Sequence, residues 1–216
     1  MMKSYVITIF DNERSVESAK RCIESGNRFG NDIEMFPAVT PRDNPLDILK
    51  AEKIKVAGFK EKYSRLENCV SAFLSHYSLW NVAVNENVRV NIFEHDAVLI
   101  DEIPTASFRY VMNFGAPSYG KFNQPRHIGV GPLITKPYFP GAHAYTVTPE
   151  GARRLIACAK KEARPTDVFM NLQTMPWLQE YYPFAAEARD SFSTIQNPDG
   201  CIAKHNYNSK YEVINA

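Results

Sequence analysis

The chain has 216 residues, and its 25 Lys and Arg residues balance 24 Asp and Glu residues to a formal net charge of +1. This balance argues against a protein that binds nucleic acid through its overall charge, although it does not exclude a local basic patch. No apolar run approaches the roughly 20 residues that cross a bilayer, so we expect no membrane span.

Cysteine usage and the start of the chain indicate a compartment. The four cysteines lie far apart without a C-x-x-C pair, and the N-terminus lacks the apolar core of a signal peptide. We therefore expect reduced thiols in a cytoplasmic protein. The length and the lack of a linker predict a single domain over residues 1–216. The polar tail over residues 196–216 is compatible with flexibility or with folding over a ligand.

The first third of the chain alternates strand and helix patterns. Residues 5–10 are β-branched and aromatic and predict a buried strand. Asp11 or Asn12 can cap the helix that follows, and residues 33–39 predict a second strand. Strand, helix and strand in this order are the unit of a parallel α/β sheet. Pro45 begins a predicted short helix that continues through Lys55.

The middle of the chain carries its most informative pattern. Residues 66–84 predict a strong helix, and the apolar residues 90–93 predict a strand that delivers Glu94 and Asp96. Carboxylates at the end of a buried strand lie at the sheet rim, where open α/β proteins bind ligands. Two acids at i and i+2 in extended chain point to the same side, which suits a divalent cation that carries substrate phosphates. The alternative is a polar turn after a strand.

The second half of the chain is more irregular. Residues 103–106 suggest a turn and a short helix, and the Gly- and Pro-rich residues 115–140 predict a long loop, functional or mobile. Residues 144–147 predict a short strand. Thr148 and Pro149 open a helix with a cap and a proline at its first position. A further short helix is expected from Pro165 through Leu172.

Several segments together resemble motifs of glycosyltransferase family 25, the lipopolysaccharide-type and collagen-type galactosyltransferases. Residues 69–80 resemble the family's small-x-x-x-Leu-Ser-His-x-x-x-Trp helix, and Glu94-His95-Asp96 stands where the family has Glu-Asp-Asp. Weaker matches lie in the family's order at residues 5–14, 36–39, 141–152 and 165–167. The chain departs from the family at His95, which replaces the middle acid, and in its opening turn.

The resemblance implies an α/β protein of the GT-A-type nucleotide-diphospho-sugar transferase fold, with a mixed central sheet flanked by helices. It implies an inverting transfer of a hexose from a UDP-sugar to a hydroxyl of a glycan acceptor, first a lipopolysaccharide, before hydroxylated protein or nucleobase. The implied cation is Mn²⁺ or Mg²⁺. The alternative is a binding or scaffold protein that keeps this fold and has lost catalysis.

The candidate site residues follow from the resemblance together with residue chemistry. The expected metal ligands are Glu94, Asp96 and, from the tail, His205. Asp167 is the candidate general base, with a helix N-cap as its alternative role. The expected contacts to the donor are Asp11, Arg14, His76, Glu94 and His143. For His76 the alternative is a core histidine, for His143 a turn filler, and for Arg14 a solvated helix residue.

Overall fold

A seven-stranded mixed sheet forms the centre of the molecule in the computed structural model, which describes residues 2–61, 64–139, 141–189 and 193–196. In spatial order its strands are β2 (Glu34–Pro37), β1 (Met2–Thr8), β3 (Arg89–Glu94), β7 (Ala144–Val147), β5 (Val111–Asn113), β8 (Gln179–Tyr182) and β6 (Gly129–Pro132). A second, two-stranded sheet pairs β4 (Ala97–Leu99) with β9 (Ala186–Ala188).

Helices occupy three of the connections between consecutive strands, those from β1 to β2, β2 to β3 and β7 to β8. They are α1 (Glu13–Asn27), α2 (Pro45–Ala51), α3 (Leu66–Asn85), α4 (Pro149–Lys161) and α5 (Thr166–Phe169), with short 3₁₀ turns at Pro41–Asp43 and Val56–Phe59. The predicted caps are confirmed: the Asn12 side chain accepts a hydrogen bond from the Ser15 amide at 3.1 Å, and Thr148 accepts one from the Gly151 amide at 3.0 Å. Each satisfies an amide that the first helical turn leaves without a partner.

The strand directions confirm the predicted fold class. β1 is parallel to β2 and to β3, as the opening strand-helix-strand pattern predicts. β7 then runs antiparallel to β3 and makes the sheet mixed. Because β1, β2 and β3 point the same way, Thr8, Pro37 and Glu94 all lie at one edge of the sheet.

A buried aromatic cluster packs helix α3 against the 3₁₀ turn Val56–Phe59 and against α5. The Phe73 ring makes edge-to-face contacts with Phe59, Trp80 and Phe169 at centroid distances of 5.2 to 5.6 Å. Such pairs contribute about 0.5–1.5 kcal/mol each beyond the burial of their apolar surface. The same helix turns Ser71, Ser75 and His76 toward the sheet edge that carries Glu94.

Several predicted elements differ from the structure in their bounds or their existence. β1 ends at Thr8, and Phe10 is exposed in a turn closed by the Asn12 amide on the Ile9 carbonyl. α2 ends at Ala51, because Lys53 takes a left-handed φ of 59° that no helix continues. The short helix predicted at residues 103–106 is wrong: Ile103 is buried in the core, and the segment is irregular.

We find no helix in the described ranges that combines the length and apolar character needed to cross a membrane.

Candidate active site

A cleft of about 620 Å³ opens at the sheet edge where β1 and β3 end. The loop after β2 and the first turns of α3 form its walls, and residues 193–195 pass over one side. Its described lining brings together three guanidinium groups and three carboxylates: Arg14, Arg42, Arg65, Asp11, Glu94 and Asp96. A pocket with both signs of charge suits a ligand that carries phosphates together with a cation.

Glu94 and Asp96 reach the cleft from different backbone conformations. Glu94 is the last residue of β3, and its amide donates to the His143 carbonyl at 3.0 Å. Residues 95 and 96 form a tight turn, because the chain leaves the central sheet there and enters β4 of the second sheet. The expectation of two acids in one extended run is therefore wrong, although both acids line the same cleft.

A chain of buried hydrogen bonds ends on Glu94. Trp80 Nε1 donates to the Tyr145 hydroxyl at 2.8 Å, and that hydroxyl lies 2.9 Å from His76 Nδ1. His76 Nε2 lies 3.1 Å from Glu94 Oε1. Indole only donates and a carboxylate only accepts, so the Tyr145 proton points to His76 Nδ1 and the His76 Nε2 proton points to Glu94. Burial raises the pKa of Tyr145 well above its usual value, so its proton stays in place.

The electrostatics of the cleft keep Glu94 ionised. Burial by itself would raise the pKa of Glu94, but the hydrogen bond from His76, with smaller contributions from the neighbouring His143 and His95 side chains, lowers it overall. The side chain is about one third exposed, so one end of the carboxylate faces the cleft while the other is held by His76. Glu94 therefore presents a negative charge to whatever enters the cleft.

His95 is engaged with the start of α1. Its Nδ1 lies 3.0 Å from Ser15 Oγ, and that same oxygen accepts a hydrogen bond from the Ile9 amide at 2.9 Å. Ser15 Oγ and His95 Nδ1 are therefore hydrogen-bonded to each other, whichever of the two atoms carries the shared proton. This nitrogen is occupied by the protein itself, so His95 does not offer it to a cation.

The donor set fits an open cation site. Within the described ranges no group of three or more His, Cys, Asp or Glu side chains is arranged to hold a metal ion. Mg²⁺ is commonly held by one or two carboxylates together with substrate phosphates, so Glu94 and Asp96 match that kind of site rather than a closed protein cage. The predicted third ligand, His205, lies outside the described residues.

Two arginines of the cleft, Arg42 and Arg65, were not singled out from the sequence. Together with Arg14 they form what we call the basic wall of the cleft. Arg42 pairs with Asp11, and Arg65 donates to the Thr194 carbonyl at 2.8 Å beside a 2.9 Å bond from Asn68 to the same oxygen. Arg42 lies in the 3₁₀ turn that follows β2, and Arg65 directly precedes α3. Their positions in the connection that leaves the acidic end of the sheet are the signal that could have identified them.

Asp167 lies close to the cleft but not among its described lining residues. It is the second residue of α5, whose N-cap position is Pro165, so the alternative role of helix cap is wrong. Its Oδ1 accepts from the Val168 amide at 2.9 Å, and the side chain is exposed. Although the residue is exposed, the protein atoms around its carboxyl group partly desolvate it and raise its pKa, and the negative charge of Glu94 adds to that shift.

His143 is buried between two glycines and does not line the cleft. A Cβ at Gly115 would lie 2.5 Å from His143 Nε2, and one at Gly141 would lie 2.6 Å from Nδ1. Gly141 also has a φ of 153°, so glycine is required on this side of the ring for two reasons. His143 reaches the site through its carbonyl, which holds the Glu94 amide.

Comparisons with known proteins identify one family. The model described as glycosyltransferase family 25 (LPS biosynthesis protein) matches residues 1–112, just over half of the chain. No curated protein matches. Among solved structures, the CTP:phosphocholine cytidylyltransferase of Streptococcus pneumoniae is similar at 10% identity and a TM-score of 0.39, over 86% of this chain and 92% of that chain.

Replacing Tyr145 by Phe should destabilise the protein more than the same change at Tyr77. Tyr145→Phe leaves Trp80 Nε1 and His76 Nδ1 buried without partners, at a cost of roughly 1–3 kcal/mol for each group. Tyr77→Phe removes one bond to the Glu52 carboxylate, which water can solvate. Urea unfolding measures the two losses, and equal losses would contradict the buried chain of hydrogen bonds.

His143 should make the protein less stable in acid. Burial lowers its pKa from 6.5 to about 4, against the opposing charge of Glu94 and a hydrogen bond to the Ala186 backbone. The unfolded chain therefore takes up a proton below pH 6.5 that the folded protein refuses until about pH 4. When the pH falls from about 7.5 to about 4.5, the free energy of unfolding of wild type should decrease by about 2.5 kcal/mol more than that of His143→Gln. Urea unfolding at both pH values measures this difference. Equal decreases in wild type and His143→Gln would show that His143 is not the cause of the acid sensitivity.

Proposed function

Because the chain belongs to glycosyltransferase family 25, we propose that it moves a hexose from a UDP-sugar to a hydroxyl of a glycan acceptor of the lipopolysaccharide type. The transfer inverts the anomeric carbon and uses Mn²⁺ or Mg²⁺. The observation that carries the proposal is the shared cleft, in which Glu94 and Asp96 face Arg14, Arg42 and Arg65. This arrangement supports a diphosphate leaving group bound between cation and guanidinium groups.

The basic wall supports stabilisation of the leaving group. The diphosphate gains negative charge as its bond to the sugar breaks, and guanidinium groups bind phosphate oxygens in bidentate geometry. Glu94 and Asp96 would hold the divalent cation, which when bound supplies positive charge next to the leaving diphosphate. His76 keeps Glu94 ionised and oriented for that task.

The acceptor hydroxyl needs a base, and Asp167 is the candidate. A pKa raised toward the working pH makes a carboxylate a better proton acceptor in the transition state. The acceptor O–H bond breaks with its proton passing to Asp167, while the oxygen bonds to the anomeric carbon and the bond to the diphosphate breaks. Attack from the face opposite the diphosphate inverts that carbon.

A binding protein without catalysis is the second candidate, and His95 is the observation that favours it. This residue stands where the resembled family carries an acid, and Ser15 occupies its Nδ1. A protein of this kind would bind a nucleotide sugar in the same cleft without turning it over.

Donor hydrolysis in the presence of Mn²⁺ separates the two candidates without knowledge of the acceptor. UDP-galactose or UDP-glucose should be hydrolysed by wild type, and Glu94→Gln with Asp96→Asn should lower the rate about 100-fold or more, since charge stabilisation in active sites is of this size. The matched control is Asp101→Asn with Glu102→Gln, an exposed pair that loses the same charge. Equal hydrolysis by the two double variants would remove the proposed cation site.

Asp167→Asn should impair transfer and spare donor binding. Removal of a general base lowers kcat by about 10²–10⁴-fold, whereas the affinity for the UDP-sugar should stay within about twofold, because Asp167 does not line the donor cleft. Glu162→Gln, an exposed acid at the end of α4, is the control. Full transfer activity in Asp167→Asn would assign the base elsewhere.

A further inference from the structure

A cluster of exposed apolar side chains lies on the chain segments that flank β6, which is the edge strand on the side of the sheet opposite β2. Tyr119, Phe122, Ile128 and Ile134 are 41%, 40%, 86% and 39% exposed. They account for four of the eight exposed large hydrophobic residues in the described part of the chain, within sixteen consecutive positions. Scattered apolar residues are ordinary on a surface, but a cluster of this kind marks an interaction site. We name it the loop patch.

The loop patch is built on a fixed framework. The buried Glu180 of β8 accepts hydrogen bonds from the amides of Ile134 and Thr135 at 3.0 and 3.1 Å. Asn123 bonds to the carbonyls of the same two residues, at 3.1 and 2.9 Å. These bonds hold Phe122 and Ile134 side by side on a surface depression that Arg126 also lines. The exposure of Phe122 and Ile134 therefore follows from the hydrogen bonds that fix the backbone around them.

The charges around the loop patch are of one sign. Residues 115–139 contain Lys121, Arg126 and Lys136 but no Asp or Glu. Lys121 and Arg126 are exposed, whereas the Lys136 ammonium is turned inward onto the Tyr119 carbonyl. The neighbouring strand β8 contributes one acid, Glu180, and its buried carboxylate is satisfied by the loop. The exposed surface therefore combines apolar side chains with positive charge that no acid of residues 115–139 or of β8 offsets at the surface.

We propose that the loop patch docks the protein on an anionic lipid bilayer, with Phe122 and Ile128 entering the interface and Lys121 and Arg126 meeting the headgroups. Aromatic and aliphatic side chains beside basic ones are the pattern of interfacial membrane binding. A nucleic acid would favour more cations and fewer aliphatic side chains. Strand β6 begins at the sheet end where β3 delivers Glu94 and runs to the opposite end, so the loop patch extends along the β6 side of the sheet.

Vesicle sedimentation tests the proposal, and it does not rest on the proposed function because no donor or acceptor is present. Wild type should sediment with phosphatidylcholine vesicles that contain roughly one third phosphatidylglycerol, and far less with phosphatidylcholine alone. Raising NaCl from about 0.1 M to about 0.5 M should weaken the binding. The patch variant, Phe122→Ser with Lys121→Gln and Arg126→Gln, should bind more weakly by at least about 30-fold, since each of the two basic residues strengthens such binding about fivefold and the loss of Phe122 adds to this.

The matched control is Leu46→Ser with Lys160→Gln and Lys161→Gln, which removes a similarly exposed apolar residue and two exposed cations elsewhere. It should bind as wild type does. Ile128→Ser, at the most exposed position, cannot disturb the core and should also weaken binding. Equal binding to both vesicle types, or equal losses in patch and control variants, would overturn the proposal. Self-association of wild type that the patch variant abolishes would also overturn it and assign the surface to a second copy.

Discussion

The hydrogen bond from His76 to Glu94 is the interaction on which the site depends. A carboxylate at the rim of a sheet, partly removed from water, would by itself tend to take up a proton. His76 prevents this, and it can do so only because Tyr145 and Trp80 fix its ring and its tautomer from inside the core. The ionised state of Glu94 in the cleft therefore depends on the packing of α3 against the sheet.

The same arrangement explains how the rest of the cleft is built. Three parallel strands end at one edge, and the loops that leave them bring Arg14, Arg42 and Asp96 around Glu94. Small side chains on α3, such as Ser71 and Ser75, leave the room that the cleft occupies. Opposite charges meet here in a partly enclosed space, where their interactions are stronger than in bulk water.

The sequence predicts most helices and strands and the two acids of the cleft, but it does not predict the features that depend on contacts between residues far apart in the chain. The periodicity of residues 66–84 and the cap chemistry of Asn12 and Thr148 are local, and the structure reproduces them. The turn at residues 95 and 96 stood in the sequence only as an alternative to an extended run, because the choice between them depends on the pairing of β4 with β9, some ninety residues later in the chain. Two other contacts of the site are equally distant in sequence. Arg65 donates to the Thr194 carbonyl, and the Tyr145 hydroxyl is hydrogen-bonded to His76, 69 positions away.

Calorimetric titration of UDP into the protein, with and without Mn²⁺, tests the central claim that the buried hydrogen-bond chain prepares Glu94 for a cation-bound nucleotide. Wild type should bind UDP more tightly when Mn²⁺ is present. His76→Asn should weaken the Mn²⁺-dependent binding about 10- to 100-fold, which is the usual effect of losing a residue that orients a metal ligand. Binding of UDP without Mn²⁺ should hardly change in that variant. An affinity that is the same with and without Mn²⁺, or the same in wild type and His76→Asn, would contradict the account.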